Sequence, residues 1–284
     1  MTRILACIAA SIVTAIFAAS GQAAAPQPWV EVGNDGMLSV RAVVATGTPC
    51  PRVTADGRNI PVKKRLGPDE RFPLELCDAH APAASAKIAV GGKAVPTLPA
   101  TVRRIVVLGD TGCRIEGPEV QDCQDPKSWP FHTVSERAAA RHPDLVIHVG
   151  DYLYRLSPCP AGNTACAGPS GDNWPTWQAD FFGPAAPLLD AAPWVMVRGN
   201  HEICRRGGEG WRHLIDPHPG ELACSDFEAP YRVSAGGLTL LVFDSANADD
   251  FKAEPDKVPL YAGQLRTLLA AAPPHSWLLT HRPV

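Results

Sequence analysis

The feature of this 284-residue sequence that most limits its fold is an alternation of short apolar runs with helical stretches, which begins at Arg103. The apolar runs predict strands at 105–108, 145–149, 194–197, 231–233, 238–243 and 277–279. The stretches between them predict helices at 134–141, 174–189 (with a break near Gly183) and 264–271. Alternating strands and helices indicate an α/β fold with a mixed β-sheet flanked by helices.

Four of the predicted strands are followed by a polar residue of a type that binds metals. These residues are Asp110, Asp151, Asn200 and His281. In α/β folds ligands bind beyond the carboxyl ends of the strands, so these side chains are expected to converge at one edge of the sheet. Carboxylate and amide oxygens and imidazole nitrogen suit divalent and trivalent metals. The pattern therefore predicts a metal site.

The same residues carry a resemblance to a known family. The blocks Gly109-Asp110, Gly150-Asp151, Gly199-Asn200-His201-Glu202 and the strand-end His281 resemble the calcineurin-like metallophosphoesterase superfamily, in which the first block usually reads Asp-x-His. Here Gly112 stands at the third position, and the second block continues to Tyr154. This combination resembles the purple acid phosphatase branch, in which a tyrosine replaces the missing histidine as a ligand of a ferric ion.

The resemblance implies a fold, a site and a reaction. The fold would be a β-sheet sandwich flanked by helices, and the cofactors would be two metal ions, Fe(III) and a divalent Fe, Zn or Mn. Asp110 and Tyr154 would bind the first metal, Asp151 would bridge both, and Asn200 and His281 would bind the second. A metal-activated hydroxide would attack a small phosphate ester while His201 assists the leaving group.

One block of the family's pattern, Gly-His-x-His, does not occur in this sequence. We therefore expect the chain to be a piece of a longer protein, whose catalytic domain lacks its C-terminal end here. Two alternatives stay open. One is a phosphodiesterase or nucleotidase with other divalent metals, in which Tyr154 is not a ligand. The other is an inactive exported binding protein of the same fold.

Export is predicted from the N-terminus and the cysteines. Residues 1–23 read as a signal peptide, because Arg3 precedes an apolar run that ends in small residues. An even number of cysteines after it favours disulfide bonds over a zinc site in a periplasmic or secreted protein. The sequence leaves many connectivities open, and our hypothesis pairs neighbours: Cys50 with Cys77, Cys113 with Cys123, Cys159 with Cys166 and Cys204 with Cys224. The formal net charge of −3 indicates no nucleic-acid partner and no membrane partner after signal removal.

The remaining residues divide into two regions. Residues 24–100 predict a small all-β domain and linker without catalytic residues, and residues 101–284 predict the catalytic domain. Within the latter, His148 is expected in the core, and Glu202 is expected either to orient a ligand or to form a salt bridge. Arg205, Arg206 and Arg282 are candidates for contacts with phosphate oxygens.

Overall fold

The computed structural model describes residues 28–34, 36–218, 223–270 and 272–283. The predicted signal peptide, residues 1–23, lies outside these residues. The strands, numbered in chain order, are β1 Trp29–Val32, β2 Met37–Ala45, β3 Val53–Ala55, β4 Arg58–Ile60, β5 Lys63–Lys64, β6 Leu74–Pro82, β7 Ile88–Val90, β8 Lys93–Val95, β9 Ile105–Leu108, β10 Ile115–Glu116, β11 Glu119–Val120, β12 Leu145–His148, β13 Trp194–Met196, β14 Tyr231–Ala235, β15 Leu238–Val242 and β16 Trp277–Leu279.

The helices in the described part of the chain are mostly short and fewer than the strands. The α-helices are α1 Phe131–Ala139, α2 Trp174–Trp177, α3 Gly183–Leu189, α4 Gly208–Gly210 and α5 Val258–Ala270. Two π-helical segments, Gln178–Phe182 and Trp211–Ile215, and a 3₁₀ turn, Asn200–Glu202, complete them. Every helix in the described part of the chain is too short or too polar to span a lipid bilayer.

The main sheet has seven strands in the order β5-β6-β2-β1-β13-β12-β9. Strands β1, β13, β12 and β9 are parallel, and β2, β6 and β5 continue the sheet as antiparallel neighbours. A second sheet has the order β14-β15-β16, and β3, β4, β7 and β8 form a third. The predicted mixed α/β fold class is confirmed.

Both faces of the main sheet are buried at its centre. In β12, Leu145 and Ile147 pack toward the other two sheets, and Val146 packs toward the helices. The helical side includes Phe181 and Leu188 from the long helical segment that starts at Trp174. Because β12 is a central parallel strand covered on both faces, both of its faces carry apolar side chains. The sheet is therefore held rigidly between two cores, and the loops at its ends start from fixed positions.

The N-terminal region differs from the separate β domain predicted for residues 24–100. It is rich in strands, but β1, β2, β5 and β6 join the same sheet as β9, β12 and β13. Strand β1 joins the two regions because it pairs with β2 along one edge and with β13 along the other. Its four residues are all buried, with Val30 and Val32 in one core and Trp29 in the other.

The four neighbouring cysteine pairs lie at disulfide distance, with Cα–Cα separations of 5.5–5.7 Å. They are the pairs predicted from the sequence. Three of them close loops at the edge of the sheet where the predicted ligands lie, which restricts the motion of those loops.

Candidate metal centre

Neighbouring parallel strands bring the predicted ligands together. Strands β9 and β12 run side by side, and their pairing continues past the strand ends: Asp110 donates its N–H to the Gly150 carbonyl at 3.0 Å, and Thr111 donates to the Asp151 carbonyl at 3.1 Å. His281, which follows β16 in another sheet, reaches the same edge and lies 2.8 Å from the Val149 carbonyl through Nδ1. Strand order in the main sheet therefore brings Asp110 and Asp151 together, and the packing of the β14-β15-β16 sheet on the main sheet brings His281 to them.

The turns out of the strands are unusual. Asp110 has φ 55° and Asp151 has φ 62°, in the left-handed region that costs most residues free energy. At Gly150, with φ 105°, a Cβ atom would lie 2.6 Å from the Gly199 Cα atom and 2.7 Å from His281 Nδ1. Only glycine fits there, so the Gly-Asp order lets the loops approach closely enough to share a site.

Tyr154, Asp110 and Asp151 form the first group of candidate ligands. The Tyr154 hydroxyl lies 2.7 Å from Asp110 Oδ1 and 2.8 Å from Asp151 Oδ2. A phenol has one hydrogen and cannot donate it to both carboxylates at once. Burial, and then the charges of Asp151 and Asp110, raise the pKa of Tyr154. A cation in place of the proton would bind all three oxygens, so the group fits a hard metal ion.

His281, Asn200 and Asp151 form the second group. His281 Nδ1 faces a backbone carbonyl, which can only accept, so Nδ1 carries the proton and Nε2 presents a lone pair. That lone pair faces Asn200 Oδ1 at 2.9 Å and Asp151 Oδ1 at 3.4 Å. In this tautomer of His281, the three atoms converge as acceptors. A cation is the species that such a set of atoms stabilises.

Asp151 belongs to both groups because its two carboxylate oxygens face different ways. Oδ2 faces Tyr154, and Oδ1 faces His281 and also accepts the backbone N–H of His201 at 2.8 Å. The five predicted metal ligands, Asp110, Asp151, Tyr154, Asn200 and His281, therefore lie together in two groups joined by one carboxylate. That they bind metal stays a prediction.

Gly112 shows why a histidine is missing from the first block. A Cβ atom at this position would lie 2.7 Å from the Tyr152 carbonyl oxygen, 2.7 Å from the Tyr154 nitrogen and 2.8 Å from Asp180 Oδ2. Two of these atoms belong to the backbone and cannot rotate away. The packing at Gly112 therefore excludes a side chain, and the Tyr154 hydroxyl occupies the neighbourhood of Asp110 instead.

His201 lies beside the first group, and its ring stacks on Tyr154 with 3.8 Å between centroids. Its Nδ1 lies 2.8 Å from the Leu153 carbonyl and so carries the proton. Its Nε2 lies 3.9 Å from Asp151 Oδ2. Burial lowers the pKa of His201, so the imidazole is neutral near pH 7. The structure places His201 next to the candidate ligands, as predicted, and its catalytic role stays a prediction.

Glu202 answers one question that the sequence left open. Its Oε1 accepts the backbone N–H groups of Tyr152 at 2.9 Å and Leu153 at 3.1 Å, and its Oε2 accepts those of Asp151 at 3.0 Å and Gly199 at 3.2 Å. Burial, and then the charge of Asp151, raise the pKa of Glu202 to about 8. Glu202 thus orients the loop that carries Asp151 through the backbone, and it forms no salt bridge with any residue that the structure describes.

Two buried charged residues near the site were not predicted. Arg198 donates through Nε to the Glu202 carbonyl at 3.0 Å and contacts Glu228 and Asp244, which places Asp244 in a buried charge network. Asp180, which is fully buried, accepts backbone N–H groups from both ligand loops. Asp180 lies within a largely apolar predicted helix, and Arg198 directly follows an apolar predicted strand, and that contrast was the available signal.

His148 is a core residue, as expected. Gly150 donates its N–H to His148 Nδ1 at 3.2 Å, so Nε2 carries the proton and bonds Thr111 Oγ1 at 2.9 Å. Burial lowers the pKa of His148 to about 3, with a smaller contribution from His281. His148 is therefore a neutral support beneath the loops.

A cleft of about 780 Å³ opens above the two groups. Arg114, Arg206 and Arg282 line it, and Arg205 lines a smaller adjoining cavity. Arg206 pairs with Glu116 at 2.9 Å, and Arg282 pairs with Asp250 at 2.9 Å. Arg206 and Arg282 thus reach the cleft already paired with carboxylates, and the contact of Arg205, Arg206 and Arg282 with phosphate stays a prediction.

Comparison with known proteins places this site in a family. A model of the calcineurin-like phosphoesterase family matches residues 103–283. The fold is similar to purple acid phosphatase PPD1 from yellow lupin (Lupinus luteus) seeds, with 15% identity, a TM-score of 0.48, and coverage of 89% of this chain and 50% of that one. It is also similar to PhoD, with 14% identity, a TM-score of 0.46, and coverage of 83% and 55%.

The chain spans about half the length of these two solved structures. None of the curated proteins compared with it is significantly similar in sequence. The family match covers most of the chain, including all the candidate ligands. The chain belongs to the calcineurin-like phosphoesterase family.

Proposed function

We propose that this protein is an exported phosphoesterase that hydrolyses small phosphate esters at a two-metal site. The observation that carries the proposal is the position of Asp151, whose two oxygens face two separate groups of candidate ligands. A carboxylate shared in this way is suited to bridging two cations. The family match to residues 103–283 supports the same reaction class.

Tyr154 favours the purple acid phosphatase branch of the family and a ferric ion in the first group. Its hydroxyl lies between two carboxylates, and Gly112 leaves no room for a competing histidine. A ferric ion is a strong enough Lewis acid to hold a phenolate whose pKa the site otherwise raises. The second group, with Asn200 and His281, suits a divalent Fe, Zn or Mn.

When bound, the two cations would supply positive charge for the phosphoryl oxygens and an activated water. The residues of the chain would hold the substrate and move the proton. His201 Nε2 is not engaged by the Leu153 carbonyl, so it is the atom available to the leaving group. Because the neutral ring carries its proton on Nδ1, His201 would donate a proton from Nε2 only in its imidazolium form. The cleft above would hold the organic part of the ester.

Export is supported by the four disulfide pairs, because such bonds persist in oxidising compartments. The N-terminal apolar run supports the same conclusion. A periplasmic or secreted protein would meet phosphate esters outside the cytoplasm.

The test uses the full-length protein loaded with ferric ion and zinc, with hydrolysis of an aryl phosphate and visible absorption as readouts. We expect hydrolysis and a tyrosinate-to-iron band, the loss of the band in Tyr154→Phe, and the loss of hydrolysis in Asp151→Asn. Tyr152→Phe is the matched control, because the Tyr152 hydroxyl donates to the Val197 carbonyl in the core.

Each alternative has its own outcome. Hydrolysis without a band, and unaffected by Tyr154→Phe, would favour the reading with other divalent metals. Metal binding without any hydrolysis would favour a binding protein of the same fold. Turnover by Asp151→Asn at the wild-type rate would refute the bridging role.

A further inference from the structure

We propose that Asp180 is a positioning residue that sets the distance between Tyr154 and Asp110. The proposal rests on the function proposed above. Asp180 lies in the π-helical segment Gln178–Phe182, which is outside the two loops that carry the candidate ligands. Its side chain is fully buried and touches no candidate ligand side chain among its hydrogen-bond partners.

The two oxygens of Asp180 bond to different loops. Oδ1 accepts the backbone N–H of Cys113 at 2.9 Å, in the loop that follows Asp110. Oδ2 accepts the backbone N–H of Tyr154 at 2.7 Å and that of Arg155 at 3.2 Å, in the loop that follows Asp151. One rigid carboxylate therefore links the backbones of the two loops whose side chains meet at the first group.

Arg155 pairs with this carboxylate and holds it in place. Its Nε donates to Asp180 Oδ1 at 2.9 Å, and its guanidinium lies 5.3 Å from the centroid of the Trp129 ring. Trp129 in turn donates its indole N–H to the Thr111 carbonyl at 2.8 Å. The Asp110 loop is thus held from two directions, by Asp180 and by Trp129.

Burial raises the pKa of Asp180, whereas the N–H groups of Cys113 and Tyr154 and the charge of Arg155 lower it. A buried carboxylate is tolerated where several donors satisfy it, and here four donors do so. The absent side chain at Gly112 has a role in the same contact, because a Cβ there would lie 2.8 Å from Asp180 Oδ2. Asp180 and Gly112 together allow the loops to approach each other.

The consequence concerns the bond between Tyr154 and the metal. A change in the distance between the loops would move the phenol relative to Asp110 without removing any ligand. Groups that orient metal ligands typically contribute about 10–100-fold to metal affinity or activity. Asp180 is expected to contribute within this range.

The experiment compares the full-length wild type with Asp180→Asn, loaded with ferric ion and zinc. An amide offers one oxygen, and its NH₂ group would face backbone N–H donors, so at least one loop loses its anchor. We expect ferric affinity to fall about 10–100-fold and the wavelength or absorbance per bound iron of the tyrosinate band to change. A purely structural role would lower the yield of folded protein and leave the band per bound iron unchanged.

Two further variants make the result specific. Asp190→Asn removes an exposed carboxylate paired with Lys93 at 3.2 Å, just after α3, and should leave affinity and band unchanged. Arg155→Lys keeps a cation beside Asp180 and its backbone bonds, and should retain the band. If Asp180→Asn fails to fold, Asp180→Glu provides the same test, because it keeps the charge but shifts the carboxylate by one methylene.

The outcomes separate this proposal from the proposed function. Wild-type affinity and band in Asp180→Asn, or in Asp180→Glu if that variant is needed, would overturn the positioning role. A wild-type protein without any tyrosinate band would instead overturn the assignment of Tyr154 as a ligand. In that case ferric affinity still tests Asp180, and an unchanged value in the variant would overturn its role as well.

Discussion

Gly112→Ala is expected to destabilise the protein and weaken the first ligand group. The added Cβ would lie 2.7 Å from two backbone atoms, the Tyr152 oxygen and the Tyr154 nitrogen, where ordinary contacts begin at 3.4 Å. The Tyr154 loop would therefore have to retreat by roughly half an ångström or more. The Tyr154 hydroxyl would then lie farther than the present 2.7 Å from Asp110 Oδ1.

The magnitude follows from the atoms involved. An extra methylene in a well-packed interior costs about 1–3 kcal/mol. Two of the three close atoms belong to the backbone, so we expect the upper end, about 3 kcal/mol, which is a factor of more than about 100 in the folding equilibrium. Ferric affinity should fall as well, by about tenfold or more, because the phenol is displaced.

Urea unfolding of the oxidised protein at pH 7 measures the stability, and titration with ferric ion measures the affinity. Gly67→Ala is the matched control, since a Cβ at Gly67 meets nothing within 4 Å and the residue has no positive φ. The control should be neutral or slightly stabilising, by up to about 1 kcal/mol. Equal stability and equal iron affinity of the two variants would refute the packing argument at Gly112.

Three further results are expected. Glu202→Ala leaves four buried N–H groups without their carboxylate acceptor, and should lower the free energy of unfolding by about 4 kcal/mol, less the gain from no longer burying a carboxylate. Urea unfolding measures the loss, with Glu136→Ala at an exposed position as the control, and equal losses of stability in the two variants would contradict the prediction. His148 has its pKa lowered to about 3, so it stays neutral in the folded protein, whereas in the unfolded chain it binds a proton below about pH 6.5. The free energy of unfolding should therefore fall by about 2 kcal/mol between pH 6.5 and 5. His148→Asn should remove that part of the dependence of stability on pH, and an identical pH dependence in the variant would show the assignment to be wrong. Replacing both Cys204 and Cys224 by Ser removes the disulfide that closes a loop with a sequence separation of 20, and should lower the free energy of unfolding by about 3 kcal/mol and with it the thermal midpoint. An unchanged midpoint in calorimetry would mean that this disulfide adds nothing to stability.

Four candidate ligands, Asp110, Asp151, Asn200 and His281, could be predicted because each follows an apolar run, whereas Tyr154 could be predicted only from the resemblance to a known family. Asp110, Asp151 and His281 come two or three residues after β9, β12 and β16. Parallel pairing of β9 with β12 places Asp110 and Asp151 at one edge whatever the loops between them do. The disulfide pairs could be predicted because neighbours in sequence close short loops. These are local patterns, and the structure keeps them.

The positions of supporting residues could not be predicted because they depend on contacts between distant segments. Asp180 bonds to Cys113 and Tyr154, which are remote in sequence, so the helical pattern around it gives no information about its partners. Strand β6 is hard to recognise in the sequence because Glu75 and Asp78 interrupt its apolar pattern, although both are buried. Charged residues that find buried partners hide a strand from any reading of hydrophobic periodicity.

The place of β1 has a consequence for how the chain folds and how it should be cut. This strand is near the start of the chain, yet Glu31 pairs with Trp194 in the middle of the sheet. During synthesis, the edge of β1 that pairs with β13 stays unpaired until β13 has been made, and an unpaired edge of an apolar strand promotes aggregation. A fragment trimmed to start near residue 101 would strip the partner from β13 and expose the same edge from the other side, so expression boundaries should keep the first strand.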